Sequence, residues 1–168
     1  SKNSLELKSI DYQLQPYTNP ELIREKGPQV FRSGSGVKVK DIDGNSYIEG
    51  MSGLWCASLG FNENELIEAA ISQMRQLPFY HSFTGKTCES TINLSEKLIE
   101  IAPNNLKKIF FCNSGSEAND TAIKIVWYYH ASLGKPQKRK IISRKGSYHG
   151  VTLAAASLTA LEYAQKGF

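Results

Sequence analysis

Two short segments of this sequence combine residue types and spacings suited to chemistry. The first is Asn113-Ser114-Gly115-Ser116-Glu117-Ala118-Asn119-Asp120, between the apolar run Ile109-Phe110-Phe111-Cys112 and a long helical pattern. The first N–H groups of a helix have no partner inside it, and the helix dipole places partial positive charge there. Such a turn suits a phosphate. Gly115 lets a ligand approach the backbone, and the hydroxyls of Ser114 and Ser116 add donors. The pattern is neither GxGxxG nor Walker A, and no Lys follows the glycine, so a dinucleotide or ATP is not the expected occupant. The same residues also read as a plain N-cap and tight turn. The second segment is Arg144-Lys145-Gly146-Ser147-Tyr148-His149-Gly150, after Ile141-Ile142-Ser143. Taken alone it reads as a Gly-rich surface turn. An aromatic face there can stack on a flat heterocycle, and ligands of α/β folds bind at the carboxyl ends of parallel strands. Two such turns after successive strands point to a phosphorylated aromatic ligand.

The elements that must hold these turns follow from periodicity. Val37-Lys38-Val39-Lys40-Asp41-Ile42 alternates apolar with polar, Asp43-Gly44 follows, and Tyr47-Ile48 resumes, which predicts a hairpin. Leu66, Ile67, Ala70, Ile71 and Met74 predict a helix that Asn62 or Asn64 caps. Ile92, Leu94, Leu98, Ile99 and Ile101 predict a second, ending before Pro103. Residues 117–133 read as a third, closed by Gly134 and Pro136. Residues 109–112 and 141–143 read as strands buried on both faces of a parallel sheet. Residues 152–158 are small and apolar, fitting a packed helix or strand, and the first thirty residues read as irregular. Trp127, Tyr128 and Tyr129 read as core packing, and Cys56 and Cys112 as small buried hydrophobes. Strands alternating with helices define an α/β fold with parallel strands. Only two central strands are evident, so the sheet is expected to be unfinished and the chain to be a piece of something larger. The expected division is an amino-terminal segment with the hairpin, 1–60, and the first, truncated part of a larger domain, 61–168.

Composition narrows the classes. The chain has 168 residues, enough for one domain to one and a half. With 40% hydrophobic and 21% charged residues it can fill a core. With 13 Gly and 6 Pro it is neither collagen-like nor a low-complexity linker. The net charge of +4 is modest and does not demand a nucleic-acid partner. Cys56, Cys88 and Cys112 form an odd set without CxxC spacing, which argues against a disulfide scaffold and a structural zinc site. No metal site is expected, and a reducing, cytoplasmic compartment is the simplest reading. No basic stretch followed by an apolar run opens the sequence, so no signal peptide is expected. Nor does any apolar run approach the roughly 20 residues of a membrane span.

The run from Asn113 to Lys124, with Ser147-Tyr148-His149-Gly150 downstream, resembles the class III pyridoxal-phosphate-dependent aminotransferases, the omega-transaminase group. Asp41-Ile42-Asp43-Gly44-Asn45-Ser46-Tyr47-Ile48-Glu49-Gly50 is similar to that family's early hairpin, Gly53-Leu54-Trp55-Cys56 to its substrate-pocket segment, and Leu59-Gly60 to the turn before its next helix. The resemblance runs from about Gly34 to the last residues. It implies part of a type I pyridoxal-phosphate transferase fold, with 61–168 the first part of the large cofactor-binding domain, and a homodimer with active sites at the subunit interface. It further implies that Ser114, Gly115 and Ser116 bind the cofactor phosphate, that Tyr148 stacks on the pyridine ring, and that His149 lies beside it. Leu54 and Trp55 would line the substrate pocket, with Tyr17 and Tyr163 as further candidates. Phe83 would reach into the partner's site, and Glu117 would support the site from behind. The implied reaction moves an amino group from an amine or amino acid to a keto acid or aldehyde. It also requires a Schiff-base Lys and a carboxylate at the pyridine nitrogen. Lys124, Lys138, Lys140 and Lys145 stand in no such motif, so the catalytic Lys is expected to lie outside this chain, which alone is expected to be inactive. An aminomutase of the same superfamily, or a non-catalytic remnant binding a phosphorylated ligand, are the alternatives.

Overall fold

The structure, a computed structural model, describes residues 4–167. The chain forms two compact units, one ending at Ser82 and the other beginning at Phe83. The amino-terminal unit holds α1 (Ser4–Tyr12), α2 (Pro20–Lys26), β1 (Phe31–Ser35), β2 (Lys38–Asp41), β3 (Ser46–Ile48), α3 (Ser52–Trp55) and α4 (Asn64–Gln76). The other holds α5 (Glu89–Ile101), α6 (Gly115–Ser132), α7 (Leu153–Leu158) and α8 (Glu162–Gln165). The division falls beyond the 60/61 point expected from sequence. Residue 61 stays with the hairpin because Phe61 and Gly36 exchange both backbone hydrogen bonds, at 2.9 and 2.8 Å.

Two helices stand in the stretch that reads as irregular. α2 begins where Asn19 Oδ1 accepts from the N–H of Glu21 at 2.9 Å, with Pro20 at the first helical position. Asn then Pro is a helix start, since the proline gives up a donor the helix could not use. β1, β2 and β3 form an antiparallel meander, with Phe31 opposite Asp41 and Lys38 opposite Ile48. α4 follows the predicted periodicity, but Glu63 is its N-cap and makes no side-chain cap bond. Asn62 instead takes a left-handed φ of 63°, and neither asparagine caps the helix. α5 ends at Ile101 before Pro103, as predicted.

The apolar runs at 109–112 and 141–143 form no ladder, and Ile142 is 95% exposed. A parallel strand is made only by a neighbour running alongside, and none lies there among the described residues. Trp127, Tyr128, Tyr129 and Cys56 are also exposed, not core. Trp127 is held by its ring N–H, which donates to the Arg139 carbonyl at 3.0 Å. Among the described residues the buried apolar side chains are few: Pro28, Val39, Ile123 and Ala155.

Asp41 anchors the hairpin. Its Oδ1 accepts from the N–H groups of Asp43 and Asn45, at 3.0 and 2.8 Å, and its Oδ2 from Asn45 Nδ2 and Tyr47 Oη, at 3.0 and 2.8 Å. The bonds from the Asn45 side chain, then from Tyr47 and the turn backbone, outweigh burial and hold this carboxyl below the usual carboxylate range. The Tyr47 hydroxyl is raised, because losing its proton would break its bond to Asp41. A carboxyl lowered by folding stabilises the fold fully above its unfolded value of about 3.9 and loses that contribution as pH falls through the folded value. Acidification below about pH 4 is therefore expected to loosen this turn. The protection factor of the Asn45 amide, its exchange rate divided out by the intrinsic rate at each pH, should fall in the native sequence from pH 6 to pH 2, whereas Asp41→Asn should be weakly protected throughout and show little added acid dependence.

Candidate functional site

The phosphate-type turn begins with Ser114, an N-cap in extended conformation whose Oγ accepts from the N–H of Glu117 at 3.2 Å. Glu117 reaches back so that its Oε2 accepts from the N–H of Asn113 at 2.8 Å. This is a capping box shifted by one residue. The first helical carbonyl bond is from Ala118 N–H to the Ser114 carbonyl, at 3.0 Å. The N–H groups of Gly115 and Ser116 precede it and lie where a helix offers donors outward. A Cβ placed on Gly115 would meet nothing within 4 Å, so the space in front of this turn is open. The Ser114 and Ser116 hydroxyls each accept one bond and keep their own protons to donate. Open space, two outward N–H groups and two hydroxyl donors fit a phosphate monoester.

The second turn is fastened to the first by side chains of α6. Ser116 Oγ accepts from Val151 N–H at 3.0 Å. Asn119 Nδ2 donates to the His149 carbonyl at 2.6 Å. Asp120 Oδ1 accepts from Thr152 Oγ1 at 2.8 Å and from Ala155 N–H at 3.0 Å. The last bond matters because α7 has no side-chain cap of its own. Asp120 supplies that cap from a different helix, placing a carboxylate at the positive end of α7. Thr159 closes the arrangement from inside. It is 0% exposed; its Oγ1 accepts from His149 N–H and donates to the Gly150 carbonyl, both at 2.9 Å. Gly150 is buried with φ of 120°, and a Cβ there would stand 2.9 Å from Ser116 Cα, so only glycine allows this approach.

The structure thus brings Ser114, Gly115 and Ser116 together with Tyr148, His149 and Gly150. Tyr148 keeps its ring 56% exposed beside the open cup's anchoring turn, while His149 is half-buried and held through its backbone. Leu54 and Trp55 sit side by side in the amino-terminal unit, exposed, with φ of 60° and 66°. With Ser52 and Gly53 they make four consecutive residues in the left-handed region. For L residues each such position costs about 1–2 kcal/mol. Tyr17 is exposed in that same unit with φ of 52°. Phe83 and Tyr163, the latter on α8, are exposed on the other unit. Asn119, Asp120 and Thr159 carried no role in the sequence reading. Thr159 is set in the mostly small and apolar run 153–161, whereas Asn119 and Asp120 lie in a polar stretch where nothing distinguishes them. Among the described residues no group of three or more metal-binding side chains converges.

Residues 24–168 match the aminotransferase class-III family. The chain belongs to that family. It is 49% identical over 135 residues to a vanillin aminotransferase of Capsicum frutescens, covering 80% of this chain and 29% of that protein. It is 43% identical over 156 residues to the mitochondrial gamma aminobutyrate transaminase 1 of Solanum lycopersicum, covering 92% of this chain and 30% of the relative. Among solved structures it superposes on the omega transaminase of Pseudomonas jessenii in complex with PMP with a TM-score of 0.96 at 54% identity, over 99% of this chain and 37% of that one. The PMP-bound aminotransferase of Vibrio fluvialis gives 0.92 at 42% identity, over 97% and 36%. The chain is therefore a part of the α/β, type I pyridoxal-phosphate-dependent transferase fold, and it spans about a third of the length of the proteins it matches.

The Thr159 bonds can be tested without any ligand. Thr159→Val keeps the volume but strips His149 N–H and the Gly150 carbonyl of their buried partner, and is expected to lower stability by about 1–3 kcal/mol in urea denaturation. Thr159→Ser, which retains the hydroxyl, should recover most of the loss.

Proposed function

We propose that this chain supplies the phosphate cup and the ring-stacking turn of a pyridoxal 5'-phosphate-dependent transaminase that moves an amino group from an amine or amino acid to a keto acid or aldehyde. The observation that carries the reading is the open amino end of α6, with Tyr148 and His149 fastened beside it by Ser116, Asn119 and Thr159. Bound pyridoxal phosphate supplies an electron sink through which an amino group and a carbonyl oxygen are exchanged.

The chain's own residues do the holding. N–H groups of Gly115 and Ser116, with the hydroxyls of Ser114 and Ser116, bind the phosphate. Tyr148 covers one face of the pyridine ring, and His149 fixes the edge of the site. Glu117 keeps the turn in shape through Asn113 N–H. Leu54, Trp55, Tyr17 and Tyr163 contact the substrate, and Phe83 reaches the partner's site in a homodimer. Support for these roles is that all of these residues except Tyr17 fall within the stretch that matches the family, and that the five apolar or aromatic side chains are exposed. An amine substrate is favoured by the Pseudomonas jessenii transaminase, variants of which are engineered for asymmetric synthesis of enantiopure bulky amines. The proton-transferring Lys belongs to a segment outside these 168 residues, so the chain alone is inactive. A cytoplasmic setting is supported by the three free thiols; relatives also bear mitochondrial and chloroplastic names. No helix among the described residues is long and apolar enough to cross a membrane.

The test is a product assay on the complete polypeptide that carries this chain, given pyridoxal phosphate, an amine and pyruvate. Alanine is expected, and none from the 168-residue chain. Isomerisation of an amino-aldehyde without pyruvate would instead identify an aminomutase. Ser114→Ala should weaken cofactor binding by about ten- to a hundredfold, since a hydrogen bond to a charged group contributes about 1.5–3 kcal/mol. Cofactor titration by absorbance checks this, and unchanged affinity would remove Ser114 from the cup.

A further inference from the structure

We propose that Glu49 is a positioning residue that holds Leu54 and Trp55 in their left-handed turn and so sets how large an amine the substrate pocket accepts; the second half of this statement rests on the transaminase reading. Glu49 lies directly after β3, and its N–H donates to the Val37 carbonyl at 2.9 Å, so the sheet register fixes its backbone. Its half-buried carboxylate then reaches forward along the chain. Oε1 accepts from Met51 N–H at 3.1 Å and Oε2 from Gly53 N–H at 2.7 Å. The two oxygens thus grip the two amides that bracket the start of the left-handed run.

That run needs an external hold. Ser52, Gly53, Leu54 and Trp55 have φ of 50°, 58°, 60° and 66°, and only glycine takes such values freely. Trp55 N–H to the Met51 carbonyl at 2.9 Å and Ala57 N–H to the Ser52 carbonyl at 2.7 Å close the turn locally. The first is an i→i−4 bond that a right-handed turn over the same residues would also form, and the second spans one residue more and closes the wider loop around the run. The Glu49 bonds are the side-chain contacts that tie the turn to the sheet. The result is a Trp55 side chain that is 78% exposed, held out by a backbone that opposes its own preference. Strain of this kind persists where the surroundings impose it, and it collects at binding sites. The ligand chemistry that fits an exposed indole with Leu54 beside it is the apolar portion of an amine or amino acid.

The test uses the complete polypeptide and the variants Glu49→Gln, Glu49→Asp and Glu49→Ala. Gln keeps the length and one acceptor oxygen, and Asp keeps the charge but falls one methylene short. Amide exchange at Met51 and Gly53 is expected to accelerate at least tenfold in Glu49→Ala and Glu49→Asp, and less in Glu49→Gln. In steady-state assays KM for a bulky aromatic amine should change at least fivefold, while kcat for a small aliphatic amine stays within twofold. Adding Trp55→Ala should abolish this difference between Glu49 and Glu49→Ala. Unchanged exchange overturns the positioning role. Faster exchange with unchanged selectivity overturns its link to substrate size. Absence of transaminase activity in the unmutated polypeptide would instead sink the functional reading, and the exchange data would still decide what Glu49 holds. Should Glu49→Ala fail to fold, Glu49→Gln carries the same comparison.

Discussion

One hydroxyl group, that of Thr159, sets the geometry of the carboxyl-terminal unit. It receives His149 N–H and gives its proton to the Gly150 carbonyl, so it bridges the 148–149 and 150–151 peptide groups of the ring-bearing turn. From α6, Ser116, Asn119 and Asp120 take up the rest of that turn and the start of α7. The partners lie thirty or more residues apart in sequence. Apolar packing is tolerant of small displacements, but a hydrogen bond loses strength within a few tenths of an ångström. Polar fastening therefore fixes the spacing between cup and ring more tightly than the unit's few buried apolar side chains could.

Elsewhere the chain is held by local interactions, and its apolar side chains face outward. Phe110, Ile142 and Tyr128 are all exposed. A layered α/β fold covers such side chains with further strands and helices. The turns and hairpin survive this because their bonds run within short spans: Asp41 reaches no further than Tyr47, and Glu49 no further than Gly53.

That contrast explains what could be read from sequence. α4, α5 and α6 follow from apolar spacing, and the Asp43-Gly44 hairpin from turn chemistry, since both signals are local. α2 is equally legible in Asn19-Pro20, although the prolines and glycine around it carry the composition of irregular chain. The apolar runs at 109–112 and 141–143 carry the composition of buried strands without the neighbours that would make them so. The left-handed run could not be foreseen, because Leu54 and Trp55 are poor residues for it and its cause lies in a carboxylate upstream. Of the site, Ser114, Gly115, Ser116, Tyr148 and His149 were visible as residue types. The side chains that join them were not, because a bond across thirty residues leaves no periodic trace.

Ser116 belongs to both halves at once. Its oxygen accepts from Val151 N–H, and its proton is free to point at whatever anion occupies the end of α6. A hydroxyl that accepts a bond becomes a better donor, and the converse holds as well. Anion capture and docking of the 149–152 segment are therefore reciprocal: each raises the equilibrium constant of the other by the same factor. On the proposed reading, a phosphate arriving at the cup would also lock the ring-bearing turn, and a turn already seated would lower the concentration at which the phosphate binds.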